Sequence, residues 1–299
     1  MRIYYPDTPD LPLPPGQRFP RGKYRMLRDK LERDGTLAGA ALEPSPVADI
    51  GEIERAHSRA YVEAVLTGTL GADAQRLIGL PWSEVLALRA RTVVGGALAA
   101  ARAAMATGLS GQLAGGTHHA HRDFGSGFCV FNDLAVAALV LLAEGAVRRV
   151  AIVDLDVHQG DGNAAILSGH PDVFVLSVHG EKNFPFAKVS ADLDVALPDG
   201  TGDEAYLAAL TPALERVQQF RPELILYLSG ADPLGSDRLG RLDLTFAGLI
   251  ERDARVFALA RRLGVAVSIA IGGGYADPIS DSVEVYANTF RTARGVLRV

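Results

Sequence analysis

The chain has 299 residues, 48% of them apolar, and a net charge of -5; it is long enough to bury most of its unfolded surface in a core and lacks the basic excess that nucleic acid would call for. Cys129 is its only cysteine, which excludes an intramolecular disulfide and a cysteine-built zinc cluster. The opening "MRIYYPDTPDLPLPPG" has no secretory h-region, and the longest apolar run, Leu134–Ala143, is about half a membrane span, so the expectation is a cytoplasmic protein with no membrane span and no direct nucleic-acid binding.

In chain order, the Pro-rich segment "PDTPDLPLPPGQRFPRG" reads as an ordered surface loop, because Phe19 and the tyrosines give it something to bury. Ser83–Ala106 has helical spacing, and Leu134–Ala143 reads as a buried helix. Val150–Asp156, Val173–His179, Leu224–Gly230 and Ala266–Gly274 are short, continuous apolar runs rich in β-branched residues, the pattern of strands covered on both faces. Asp203–Phe220 and Thr245–Gly264 return to helical spacing. This alternation predicts βαβ units on a mostly parallel sheet, in one α/β domain over residues 1–299. No pattern specifies an oligomeric state.

Each predicted strand ends in polar or glycine-rich residues, and in such sheets ligands bind at the carboxyl ends of strands. In "DLDVHQGDG" (Asp154–Gly162), strand alternation would turn Asp154, Asp156 and His158 to one side. Two carboxylates and an imidazole there suit a cation; the competing reading is a helix N-cap by Asp161 or Asp154. Asp232, after the run Leu224–Gly230 and before a proline that favours extended geometry, would complete three protein ligands and leave one position of a tetrahedral site open. His118 and His119 follow "LAGG" and suit acid/base work near pH 7, with Asp154 and Asp161 available to orient them; they could equally be buried histidines satisfied by backbone. His121 is expected to face the other way, at the surface. Tyr275, in "IGGGYADP", offers a donor for a substrate carbonyl oxygen or simply packs. "GSGFCVFND" and "EKNFPF" supply aromatics for the walls of a slot or for the core.

Together, "GGTHHAHRDFGSGFCVFND", "VDLDVHQGDG", "SGADPLGSDRLGRLDLT" and "GGGY" resemble the zinc-dependent histone deacetylase superfamily, in order and over nearly the whole chain. "FPRGKYRMLRDKL", "NFPF" and "LPDGTGDEAYL" look like its class IV branch and bacterial relatives. The resemblance implies an arginase/deacetylase-type three-layer fold with a central eight-stranded sheet. It implies Zn²⁺ on Asp156, His158 and Asp232, with Fe²⁺ a possible substitute at so oxygen-rich a site. It further implies a His118/His119 pair backed by Asp154 and Asp161 respectively, with His119 as proton shuttle and His118 tuning the electrostatics. Tyr275 would polarise the carbonyl, Gly127 would offer its backbone carbonyl to the substrate amide, and Phe128 and Phe184 would wall the channel. A structural K⁺ is implied near Asp154, Asp156, His158, Ser177 and Val178. The implied reaction is hydrolysis of an acylated lysine or a small acylated amine such as an acetylpolyamine. A ureohydrolase and a non-catalytic acyl-group reader are the competing classes. Gln159 stands where many members carry a second histidine, and Phe186 alters the rim after "FP".

Overall fold

The computed structural model describes residues 1–298 except Arg18 and Arg21. Its strands are β1 (Arg2–Tyr5), β2 (Ala41–Pro44), β3 (Leu109–Gln112), β4 (Val150–Asp154), β5 (Val173–Gly180), β6 (Leu193–Leu197), β7 (Leu224–Ser229) and β8 (Ala266–Ile271). The helices are α1 (Lys23–Arg33), α2 (Ile50–Ile53), α3 (Arg59–Thr67), α4 (Ala72–Ile78), α5 (Glu84–Thr107), α6 (Asp133–Ala143), α7 (Asp161–Leu167), α8 (Asp203–Phe220), α9 (Phe246–Leu263) and α10 (Ile279–Leu297). All eight strands form one parallel sheet in the order β2-β1-β3-β8-β7-β4-β5-β6, the α/β architecture expected from the sequence.

The central strands are apolar throughout because both of their faces are covered. Along β4, Ala151 and Val153 join one core while Val150 and Ile152 join the other; along β7, Ile225 and Tyr227 face opposite to Leu224, Leu226 and Leu228. This is the two-residue period of a strand sandwiched between helical layers. Helices α1, α8, α9 and α10 close the first core, and α3, α5 and α6 close the second. The Pro-rich opening is held by buried Leu11 and Leu13 and by Phe19, whose ring meets Phe128 edge-on at 5.8 Å; its Arg18 and Arg21 lie outside the described residues. No helix among the described residues is long and apolar enough to cross a membrane.

The connectivity places the site. β3 and β4 follow one another in the sequence but are separated in the sheet by β8 and β7. The loops leaving these four strands therefore converge at one end of the sheet, outside the strand carboxyl ends. Beneath them lies Arg252 of α9, fully buried. Its guanidinium donates to Leu155 O at 3.2 Å and Gly230 O at 2.7 Å, to Ser229 Oγ, and to Asp253. One buried cation thus ties together the chain leaving β4 and the chain leaving β7. Removing it leaves the Asp253 carboxylate and two loop carbonyls without this partner. Arg252→Met should therefore destabilise the protein by about 3–5 kcal/mol, read as a lowered urea midpoint; a loss under about 1 kcal/mol would show that the loops hold without it.

Candidate metal and acid/base site

The expected extended run through Asp154, Asp156 and His158 does not occur: β4 ends at Asp154. Beyond it the backbone turns on its own side chains. The Asp156 N–H donates to Asp154 Oδ1 at 3.2 Å and the His158 N–H donates to Asp156 Oδ1 at 2.9 Å, short aspartate-closed turns rather than strand. Asp232 sits in a turn closed by the Leu234 N–H on Ala231 O at 3.2 Å.

Even so, the three side chains meet. His158 Nδ1 lies 3.0 Å from Asp156 Oδ1 and 3.1 Å from Asp232 Oδ2. The second oxygen of each carboxylate is fixed by backbone: Asp156 Oδ2 accepts from the Gly273 N–H at 2.5 Å and Asp232 Oδ1 accepts from the Val157 N–H at 2.9 Å. Gly230 permits this closeness, since a Cβ there would stand 2.6 Å from Asp156 Cα and 2.7 Å from Asp232 Oδ1. Among the described residues this trio is the group whose ligating atoms all lie within 4.8 Å of one another. One nitrogen and two oxygens, buried and preorganised, fit a divalent ion of the zinc kind. The electrostatics agree. Burial and the neighbouring Asp156 charge push the Asp232 carboxyl up. Burial alone would drive the His158 imidazole down, but hydrogen bonds to Asp156 and Asp232 outweigh it and raise it to about 10. The pocket favours positive charge between its carboxylates.

Tandem His118 and His119 stand beside the trio, ring centroids 4.0 Å apart. Their loop is gripped by Asp133, the first residue of α6, which accepts from the Gly116 and Thr117 N–H groups at 3.0 and 2.9 Å. Gly115 and Gly116 take positive φ (96° and 65°) to make the turn. His118 Nδ1 donates to Asp154 Oδ2 at 2.8 Å, and His119 Nδ1 to Asp161 Oδ1 at 2.6 Å, which aims both Nε2 atoms away from their carboxylates. Asp161 is the first helical residue of α7 after Gly160, so its side chain serves the histidines rather than an N-cap. The pair is split electrostatically. Burial lowers both imidazoles, yet the Asp154 and Asp156 charges lift His118 to about 9; burial and the adjacent His118 hold His119 down at about 4.

The expectation for His121 is wrong. It is half-buried, stacks on Phe124 at 4.3 Å, and places Nε2 2.9 Å from Asp161 Oδ2. Two imidazoles therefore share one carboxylate, and Asp161 is held well below the usual carboxylate range despite burial.

Above the trio opens a cavity of about 830 Å³. Phe184 meets the His119 ring edge-on at 4.9 Å, and Phe128 lies 6.2 Å from Tyr275. Gly127 and Phe128 both adopt left-handed backbone (φ 53° and 69°); a Cβ on Gly127 would come within 2.6 Å of His119 Cδ2. The Gly127 carbonyl accepts from Cys129 Sγ at 3.6 Å. The Tyr275 N–H donates to Asp237 Oδ2 at 2.6 Å, and burial pushes its hydroxyl well up, so that it remains a donor. Lys23, unmarked by the sequence reading, is buried beneath this loop, with Nζ 3.3 Å from Gly274 O and 5.2 Å from the Tyr275 ring centre. For the implied K⁺ residues, register pairs Asp154 with Ser177 across β4 and β5, and Ser177 Oγ lies 3.0 Å from His179 Nδ1.

Comparison with known proteins places these features in a family. The model of the histone deacetylase domain matches residues 17–290. A protein of Picosynechococcus described only as uncharacterised is 43% identical over 98% of both chains. A histone deacetylase-like amidohydrolase of Pseudomonas aeruginosa is 33% identical over 85% of this chain and 71% of its own, and a probable deacetylase of Archaeoglobus fulgidus is 29% identical over 86% and 76%.

Protons compete with a cation for Asp232 and His158, both of which bind them more tightly here than when free. Zinc affinity should therefore fall as pH is lowered from 8 to 6, in a titration that saturates at one ion per chain. Asp232→Asn should weaken binding by at least about 100-fold. Affinity independent of pH, or unchanged in that variant, would place the ion elsewhere.

Proposed function

Because the chain belongs to the histone deacetylase family, we propose that it is a metal-dependent deacylase that hydrolyses the amide of an acyl-lysine or related acylated amine, with Asp156, His158 and Asp232 holding one divalent ion. The observation that carries this reading is the meeting of that trio with two carboxylate-backed histidines at the floor of one cavity. Zn²⁺ is the preferred ion and Fe²⁺ the alternative; when bound, it would supply Lewis-acid polarisation and a water acidified to a pKa of about 7.

The protein's own groups then divide the work. The aromatic rings of Phe128 and Phe184 flank the acyl-amine stem, and the Gly127 carbonyl accepts the substrate amide N–H. Its left-handed backbone and lack of a Cβ allow that approach beside His119. His119, kept neutral by burial and by its neighbour, accepts the proton of the attacking water. Asp161, 2.6 Å from Nδ1, stabilises the imidazolium that results. Tyr275 donates its hydroxyl to the carbonyl oxygen as negative charge develops there. The C–N bond breaks as the imidazolium returns its proton to the departing amine, leaving a carboxylic acid and a free amine. His118, held to Asp154, stays charged and keeps its neighbour's proton mobile. We assign a structural K⁺ to the region of Asp154, Asp156, His158, Ser177 and Val178, with the Asp154–Ser177 pairing in support.

A zinc-loaded sample should cleave a fluorogenic acetyl-lysine substrate and be inhibited by a hydroxamate. Tyr275→Phe should lose about 100-fold or more in kcat and His119→Ala about 10²–10⁴-fold, both retaining one zinc per chain. Full turnover in either variant would remove that residue from the mechanism. Release of urea from a guanidino substrate, with two tightly held Mn²⁺ per chain, would replace the reading with a ureohydrolase.

A further inference from the structure

The mouth of the cavity is charged against the sign of the whole protein. The chain carries 30 basic and 35 acidic residues, yet among the described residues the cavity is lined by five basic side chains and a single carboxylate, Asp156, which faces His158. Lys23 lies buried at the floor. The other four come from three separate segments: Arg76 from α4, Lys182 from the loop after β5, and Arg238 and Arg241 from the loop after β7. They stand in water, with side-chain exposures of 72% for Arg76, 67% for Lys182 and 53% for Arg241. Among the described residues two carboxylates serve them. Arg76 pairs with Asp73, while Asp199 lies 3.1 Å from Arg241 and 4.0 Å from Lys182. Arg238 spends its Nε–H on Tyr275 O at 3.1 Å and forms no ion pair among the described residues. The rim therefore keeps an excess of positive charge, with Phe186, 85% exposed, beside it.

We propose that the acylated amine taken by this site is carried on an acidic chain, an acyl-lysine flanked by aspartate or glutamate; this rests on the deacylase reading above. An acyl-lysine reaching the trio leaves its own backbone at the rim, so the flanking side chains come within a screening length of about 8–10 Å of the four cations. Carboxylates there are attracted and steered inwards, while lysine and arginine flanks are repelled. An acetylpolyamine fits poorly for the same reason. Its free ammonium groups would lie among arginines and lysines, with no lining carboxylate among the described residues apart from Asp156.

The test uses the zinc-loaded enzyme and two peptides of equal length, each with a central acetyl-lysine flanked on both sides by glutamate or by lysine, together with acetylspermidine. At 50 mM salt, kcat/KM for the glutamate-flanked peptide should exceed that for the lysine-flanked one by about tenfold, and the gap should close at 1 M, where screening falls to about 3 Å. Lys182→Glu with Arg241→Glu should abolish or invert the preference. Equal rates, a preference for the lysine-flanked peptide, or acetylspermidine as the best substrate would overturn the proposal. Absence of turnover on all three counts against the deacylase reading instead. Anisotropy of the two labelled peptides on the His119→Ala variant then decides the charge preference alone: tighter binding of the acidic peptide supports it, and equal or reversed affinity refutes it.

Discussion

Two buried carboxylates facing one imidazole are the constraint around which the rest of the molecule is arranged. Asp156 and Asp232 follow β4 and β7, neighbouring strands of the sheet, and both are fully buried with ligating oxygens within 4.8 Å. At that separation and an effective dielectric of about 20, two negative charges repel by about 3–4 kcal/mol. Backbone N–H groups and the His158 ring relieve part of this. A divalent ion would relieve the rest, and the donors offered are of the types zinc prefers.

Holding the carboxylates in place takes a support that looks structural until its targets are followed. Arg252 reaches from α9 to the chain leaving both β4 and β7, Gly230 and Gly273 spare the two aspartates Cβ atoms that would crowd both of them, and Asp133 pins the turn carrying the tandem histidines. The histidines then differ through their surroundings alone. Each has a carboxylate on Nδ1, but His118 lies nearer the anionic trio and is lifted, while His119 answers to burial and to His118 and is lowered. Identical side chains thus acquire different proton affinities.

The sequence revealed the central sheet because β4, β5, β7 and β8 are covered on both faces and must be apolar. It concealed β3, "LSGQ", although that strand is buried, because its polar donors find partners inside: Ser110 Oγ donates to Arg2 O and Gln112 Nε2 to Val93 O and Asp133, while Gln112 Oε1 is left without a partner. The four-residue strands β1 and β2 carry too few residues for a pattern, and β6, an edge strand, lacks a continuous apolar run because half-buried positions alternate with exposed ones. Asp156, His158 and Asp232 do come together, as a group able to hold a metal, but by a geometry other than the expected one. Alternation along a strand was the reason given, whereas aspartate-closed turns are what turn Asp156 and His158 towards Asp232. The same assumption failed outright at His121, since residues beyond Thr117 run through turns and no strand alternation applies. Lys23 and Arg252 left no mark because a lone basic residue on a helix reads as surface until its burial is known.

The proposed reaction requires one ion held by Asp156, His158 and Asp232. The most direct measurement is a crystal structure of the zinc-loaded protein, with anomalous scattering collected at the zinc edge. One strong peak should fall between His158 Nδ1, an oxygen of Asp156 and an oxygen of Asp232, each about 2.0–2.2 Å away. A peak at any other site, or zinc bound in solution with no density among these three side chains, would contradict it.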